Sequence, residues 1–306
     1  MKKSLITGGA GYKGALLTEA LLNQGHHVTI LDNLMYGDST ALAFANNPNF
    51  NVNNMDVRNI KKSDVEGFDY IFHLAGISGF PACEANPHSA HTINVDATAK
   101  LVSLLEKEQV VVYASTTSMY GRTGNEQNED STPDPISLYG ITKYEAEKIC
   151  LTHPNGIALR FATIFGVGPR MRYDLMLNDF VHKAVAERAL VLFDQDSKRT
   201  FLHVRDAIRA YVMTTVKTEQ MAGQVFNVGD NDLNFSKLDL ANRIKKFVEF
   251  EIVTTNLADP DRRDFVINYD KIEKLDFKAQ IDLDTGIEEL VRLYKWYKPN
   301  QFFNII

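Results

Sequence analysis

The sequence predicts an α/β fold: a doubly wound parallel sheet joined to a smaller, interleaved C-terminal α/β part. Three observations predict it. Short apolar runs alternate with helical patterns through the first half of the 306 residues, and a glycine loop joins the first run to the first helix. Beyond about Thr163 the alternation loosens at Gly166, Gly168 and Pro169. Apolar strands separated by helices pair in parallel and are covered on both faces. The chain is therefore expected to divide into a first domain over 1–165, to which some later segments return, and a second over 166–306.

The elements follow in order. Residues 4–7, 28–31, 69–74, 110–114 and 157–161 read as buried strands, being apolar runs too short for helices. Residues 12–23, 90–108 and 137–152 carry apolar positions at helical spacing. In the second part, helices are expected over 175–187 and 237–247, with loops at 227–232 and 258–261.

Composition excludes several classes. Hydrophobic content of 44% and charged content of 24% are those of an ordinary globular protein. A net charge of −6 with no Lys/Arg-rich stripe argues against a nucleic-acid partner. No apolar run reaches the length of a membrane span, and residues 1–8 meet Thr and Gly too early for a secretory core. The two cysteines, Cys83 and Cys150, make neither a disulfide framework nor a metal-ligand cluster. The expectation is a cytoplasmic protein without a metal.

Gly8, Gly11 and Gly14 lie between the first strand and the first helix. Glycines at these places permit a tight turn and close backbone approach, so that N–H groups at the helix start face a pyrophosphate. The next strand ends at Asp32. A carboxylate there binds the adenosine ribose hydroxyls and repels a 2′-phosphate, which favours NAD over NADP. The first domain thus reads as a Rossmann-type cofactor domain.

Tyr139 and Lys143, four residues apart in 137–152, share one helix face. An ammonium beside a phenol favours the phenolate, a usable base near neutral pH. Taken alone the pair describes any amphipathic helix; the glycine loop and Asp32 give it a cofactor to work with.

With these motifs in order, the chain resembles the extended short-chain dehydrogenase/reductase family, whose members modify nucleotide sugars, and the resemblance spans nearly the whole chain. Thr7-Gly8-x-x-Gly11-x-x-Gly14 is similar to the family's cofactor loop, Asp56-Val57 to its adenine contact, His73-Leu74-Ala75-Gly76 to the strand end beside the cofactor, and Asn94-Val95-x-x-Thr98 to its asparagine-bearing helix. Tyr12 and Asn33 fall beside these motifs and are expected cofactor contacts too. The segment 115–121 resembles the one that carries the catalytic Ser or Thr, which falls on Thr116. Arg199 heads a segment similar to the family's Arg-Asp-Tyr-Ile-His-Val, and Arg262-Arg263 stands where a second diphosphate-holding arginine is expected, with Arg263 preferred.

The resemblance implies that Tyr139 removes the proton of a sugar hydroxyl while hydride leaves for the nicotinamide. Thr116 would fix the same oxygen, and Lys143 would favour the phenolate and hold the nicotinamide ribose. Arg199 and Arg263 would bind a UDP- or GDP-type diphosphate.

Departures narrow the chemistry. The family's 4,6-dehydratases carry Asp-Glu after the catalytic Ser/Thr, its UDP-glucuronate decarboxylases a Glu, and its 3,5-epimerases a Cys; this chain has Thr117-Ser118. What remains is chemistry at one carbon, most readily C4: a 4-epimerase, or a dehydrogenase that releases a 4-keto sugar. A third, minor reading is a non-catalytic NAD-binding protein. The string from Pro169 through Arg172, Asp174 and Asn178 to Phe180 resembles a UDP-glucose 4-epimerase-like subgroup that includes GDP-manno-heptose 4-dehydrogenases, matched again over 259–264. Arg172, Asn178, Thr117 and Cys83 are accordingly expected near the substrate, Cys83 first of all as a small buried hydrophobe. Relatives usually form homodimers through helices corresponding to 90–108 and 137–152. Ala97, Leu101, Leu104 and Leu105 would face either a partner or the sheet.

Overall fold

The computed structural model describes residues 1–255, 257 and 263–298. Its strands are β1 (Lys3–Thr7), β2 (His27–Asp32), β3 (Phe50–Asn54), β4 (Tyr70–His73), β5 (Val110–Thr116), β6 (Arg122–Gln127) and β7 (Gly156–Phe161). There follow β8 (Thr163–Phe165), β9 (Ala189–Phe193), β10 (Lys198–His203), β11 (Val225–Val228), β12 (Asn234–Ser236), β13 (Glu251–Thr255) and β14 (Asp264–Ile267). The longer helices are α1 (Tyr12–Asn23), α2 (Ala97–Ser103), α3 (Leu138–Cys150), α4 (Met176–Ala186), α5 (Val204–Val216), α6 (Lys237–Ile244) and α7 (Leu283–Tyr294).

Seven parallel strands form the main sheet in the order β11-β7-β5-β4-β1-β2-β3. Successive side chains of a strand point to opposite faces, and the core divides accordingly. Ile6, Val110, Val112 and Ala114 pack on the face covered by Leu17, Leu21, Ala207 and Tyr211, from α1 and α5. Leu5, Val111 and Tyr113 pack on the other, against Ala97, Leu101, Ala146 and Cys150. A separate core joins Phe165, Phe201, Leu177, Val181, Leu240, Ile287 and Leu290 under the shorter sheets. The chain runs outward from β1 through β2 to β3 and resumes on the other side of β1 at β4. The crevice beyond the strand ends at such a reversal is where open α/β sheets bind ligands. No helix among the described residues is long and apolar enough to cross a membrane.

Several elements differ from expectation. The helix expected over 90–108 is a short helix Pro87–His91, a π turn Thr92–Asp96 and α2, ending at Ser103. The π turn lets Asn94 aim its amide at the backbone of Ile77, a long-range bond that no local pattern announces. Val225–Val228 is a sheet strand where residues 227 and 228 read as loop; Asn227 is fully buried there because its amide meets Tyr120 and the Asn268 carbonyl. The edge strand β3 carries Asn51, Asn53 and Asn54, which mask its identity. α5 and α7 were not anticipated. Ala97 and Leu101 face the sheet, at 2% and 0% exposure, and Leu104 and Leu105 pack on the same cluster, so these four do not form an outward face.

Candidate active site

The expected residues converge on the carboxyl ends of the parallel strands. At β1 the chain turns through Gly8, at φ 72°, and an added Cβ there would stand 2.8 Å from the Ala75 nitrogen. A Cβ on Gly14 would reach 2.3 Å from the Gly8 carbonyl oxygen. Gly8 and Gly14 therefore pin the loop against its own helix and the end of β4. α1 starts at Gly11 with no side-chain cap and no acidic residue in its first turn. Its opening N–H groups and positive dipole end are left to face an anion, which suits a dinucleotide pyrophosphate. Asp32 shapes the adjoining wall by accepting Ala10 N–H at 3.0 Å and Leu34 N–H at 2.9 Å, and burial raises its carboxyl above the usual range. Asn33 accepts Met35 N–H in the exposed turn beyond. Asp56 caps the short turn Val57–Asn59 and pairs with Arg58 at 2.6 Å.

Asn94 holds the strand end at Leu74, Ala75 and Gly76: it accepts Ile77 N–H at 2.8 Å and donates to Ile77 O and Thr142 Oγ1. His73 bridges Thr7 and Thr98 at 2.7 and 2.8 Å, and burial lowers it to about 3, so the bridge is made by a neutral imidazole.

β5 delivers Thr116, which caps the turn Thr117–Tyr120 by accepting Ser118 N–H. Its hydroxyl donates to Ser118 Oγ at 3.0 Å, and Ser118 Oγ in turn accepts from the Arg263 guanidinium. Thr117 is buried and donates to Phe161 O, so its hydroxyl faces the strand rather than the crevice. α3 begins with Ser137 accepting Gly140 N–H and Glu84 accepting Leu138 N–H. A Cβ on Gly140 would come 3.2 Å from the Ser118 carbonyl oxygen, so the start of α3 lies against the Thr116 turn. Half-buried Tyr139 and buried Lys143 thus share a wall with Thr116. Lys143 places its ammonium 4.1 Å from the Tyr113 ring centroid, and burial lowers it to about 7.

Residues 166–174 cross this crevice. Tyr12 donates to Gly166 O at 2.6 Å, and the Arg170 guanidinium lies 3.9 Å from the Tyr36 ring centroid. Arg172 makes a two-pronged pair with Asp174 at 2.5 and 2.7 Å and interacts electrostatically with Tyr139. Asn178 is fully buried, accepting Gly166 N–H and donating to Arg172 O, so it ties Arg172 to the start of the segment. Arg199 is likewise buried and donates to the carbonyls of Lys198 and Arg263, bracing the backbone of the arginine that meets Ser118. Arg262 lies outside the described residues. Cys83 is buried with its thiol on Ile77 O and pushed up by burial to about 11, as a packing residue should be.

Three participants were missed from sequence: Lys13, and the buried pair Glu147–Arg160 at 2.7 Å, which carries Ser115 and Tyr120 on its two ends. Lys13 stood in plain view inside the glycine loop. The Glu147–Arg160 pair becomes visible only when α3 packs on β7.

A glycine loop with open helix N–H groups, a carboxylate at the end of β2 and a Thr/Tyr/Lys set fit an NAD-dependent enzyme of the extended short-chain dehydrogenase type. A family model described as "NAD dependent epimerase/dehydratase family" matches residues 4–229, and the chain belongs to that family. It is 29% identical over 250 residues to an uncharacterized UDP-glucose epimerase of Bacillus subtilis, covering 74% of this chain and 76% of that one. It is 30% identical over 246 residues to a UDP-N-acetyl-alpha-D-glucosaminuronate decarboxylase of Bacillus cytotoxicus, covering 76% of each. The crystal structure of UDP-glucuronic acid 4-epimerase from Bacillus cereus, in complex with UDP-glucuronic acid and NAD, superposes with a TM-score of 0.84 at 25% identity, covering 96% of this chain and 99% of that one.

Proposed function

We propose that the protein is a 4-epimerase of a UDP-linked sugar, with Tyr139 as base, Thr116 as holder of the reacting oxygen and Lys143 as the cation that supports both. One observation carries this reading: the Thr116–Ser118 turn lies against the start of the Tyr139 helix and offers hydroxyls where elimination or decarboxylation would call for a carboxyl group. Likeness to a decarboxylase therefore does not extend to that activity.

Tyr139 takes the proton of the C4 hydroxyl and gives it back to the same oxygen after the 4-keto ring has turned to present its other face for hydride return. Thr116 exchanges its bond to Ser118 for one to the reacting oxygen. NAD, when bound, supplies the acceptor and donor of hydride. Arg263, already on Ser118 and braced by Arg199, meets the diphosphate, while Arg172 reaches the sugar from the crossing segment. Gly8, Gly11, Gly14, Tyr12 and Asp32 would hold the pyrophosphate and adenosine ribose; Asn33, Asp56 and Val57 would border the adenosine. Leu74, Ala75, Gly76 and Asn94 would border the nicotinamide end. The protein would act as a homodimer, and its two free, buried cysteines suit the cytoplasm.

The test is to incubate the purified protein with UDP-glucose, UDP-glucuronic acid and UDP-N-acetylglucosamine, following C4 configuration by NMR and bound NADH by absorbance. The expected result is interconversion of one pair of C4 epimers with no lasting NADH. Release of a 4-keto sugar with stoichiometric NADH would replace this reading with the dehydrogenase one. Tyr139→Phe should lower turnover by about 10²–10⁴-fold while NAD still binds.

A further inference from the structure

Lys13 stands inside the glycine loop, between Tyr12 and Gly14, and its ammonium meets two aromatic side chains on the α1/α5 side of the sheet. It lies 4.4 Å from the Phe161 ring centroid and donates to Tyr211 Oη at 3.1 Å. Phe161 is the β7 partner of Thr116 in register, so this ring marks the level of the catalytic strand end. Lys143 and Arg172 both act on Lys13 electrostatically, and among the described residues no carboxylate offsets them. Lys13 is half-buried, and a cation drawn from water without a counter-ion is costly. Methionine or isoleucine would cover Phe161 without that cost. The position is therefore better explained by what the charge does than by packing.

The cofactor changes charge as it works: the nicotinamide ring is cationic when oxidised and neutral when reduced. We propose that Lys13 is a cofactor-state-determining residue, whose ammonium disfavours NAD⁺ relative to NADH and so sustains the stage at which the substrate is oxidised. This rests on the NAD-binding assignment but not on the choice of C4 or of epimerisation. Lys143 faces the site from α3, Arg172 from the crossing segment and Tyr211 from α5. Among these, Lys13 alone is carried by the loop that would hold the pyrophosphate.

The experiment equilibrates the purified full chain at pH 6, where Lys13 is protonated, with mixtures of NAD⁺ and NADH and reads bound NADH by its fluorescence, which yields the ratio of the two affinities. Lys13→Met should shift that ratio toward NAD⁺ by about tenfold, and Lys13→Arg should keep the original preference. Should the methionine variant not fold by circular dichroism, Lys13→Gln retains a hydrogen bond to Tyr211 without the charge and should shift the ratio likewise. A ratio unchanged in the neutral variants, or an equal loss of both affinities, overturns the proposal and makes Lys13 a packing or phosphate residue. Failure of the unaltered protein to bind either form overturns the NAD assignment and the proposal together.

Discussion

His73 shows how burial at one residue sets a working range. Its ring is locked between two threonine hydroxyls, and burial lowers its pKa from 6.5 to about 3. Between those values the unfolded chain binds a proton that the folded one refuses, so stability present above pH 6.5 is lost as pH falls toward 3. Denaturant midpoints should decline between about pH 7 and 5, and the decline should flatten in His73→Asn. An identical slope in both proteins would mean that other groups govern acid sensitivity. Lys143 and Lys13 follow the same chemistry with the same sign. Each is held near 7 against 10.5, so the cofactor-free protein should gain stability as pH rises through that interval.

At the level of elements, the catalytic helix is held at both ends by side chains that take no part in chemistry. Ser137 and Glu84 fix its start, and Glu147, one turn beyond Lys143, joins it to β7 through Arg160 with both side chains nearly buried. Removing one member of a buried pair leaves the other charge stranded, at a cost of about 3–5 kcal/mol. Glu147→Gln should therefore lower the denaturant midpoint by about that free energy, whereas replacing both partners with apolar residues should restore much of it. If the single change is nearly neutral, the anchoring of α3 must come from its apolar face alone. The same view explains the split helix before α2: the π turn is the geometry that aims Asn94 at the Ile77 backbone, and such turns gather at functional sites.

For the whole molecule, the main sheet supplies the ends of β1, β4, β5 and β7, while residues 166–174 tie these loops together from the side of the second core. Ile141 remains 40% exposed on the outer side of α3, near Lys148 and Ile149, with the inward side filled by Ala146 and Cys150. That outer face, and not the Ala97–Leu101 face, is where a second copy would pack. Sedimentation equilibrium should return twice the 34.5 kDa chain mass, and Ile141→Lys should shift it toward the monomer. A monomer at micromolar concentration in the unaltered protein would dispose of the dimer.

The parallel sheet, the glycine loop, Asp32 and the Tyr139–Lys143 pair were legible in the sequence because each is a local matter, while Thr116 was singled out by the family resemblance of residues 115–121. Strand period, turn chemistry and helical spacing act between residues a few positions apart. Thr117-Ser118 took its meaning from the same resemblance, in which related enzymes carry a carboxyl or thiol at these positions. The tertiary structure adds that Asn178 holds Gly166 and Arg172, that Arg199 donates to the Lys198 and Arg263 carbonyls, that Thr117 faces its neighbouring strand, and that Lys13 lies beside Phe161 and Tyr211. Those outcomes depend on which side chains from distant segments fill the space around a group, and a buried polar residue takes whatever partner the packing brings. Tyr139 and Lys143 need only one helix to share a face; Lys13 needs β7 and α5 in place around it.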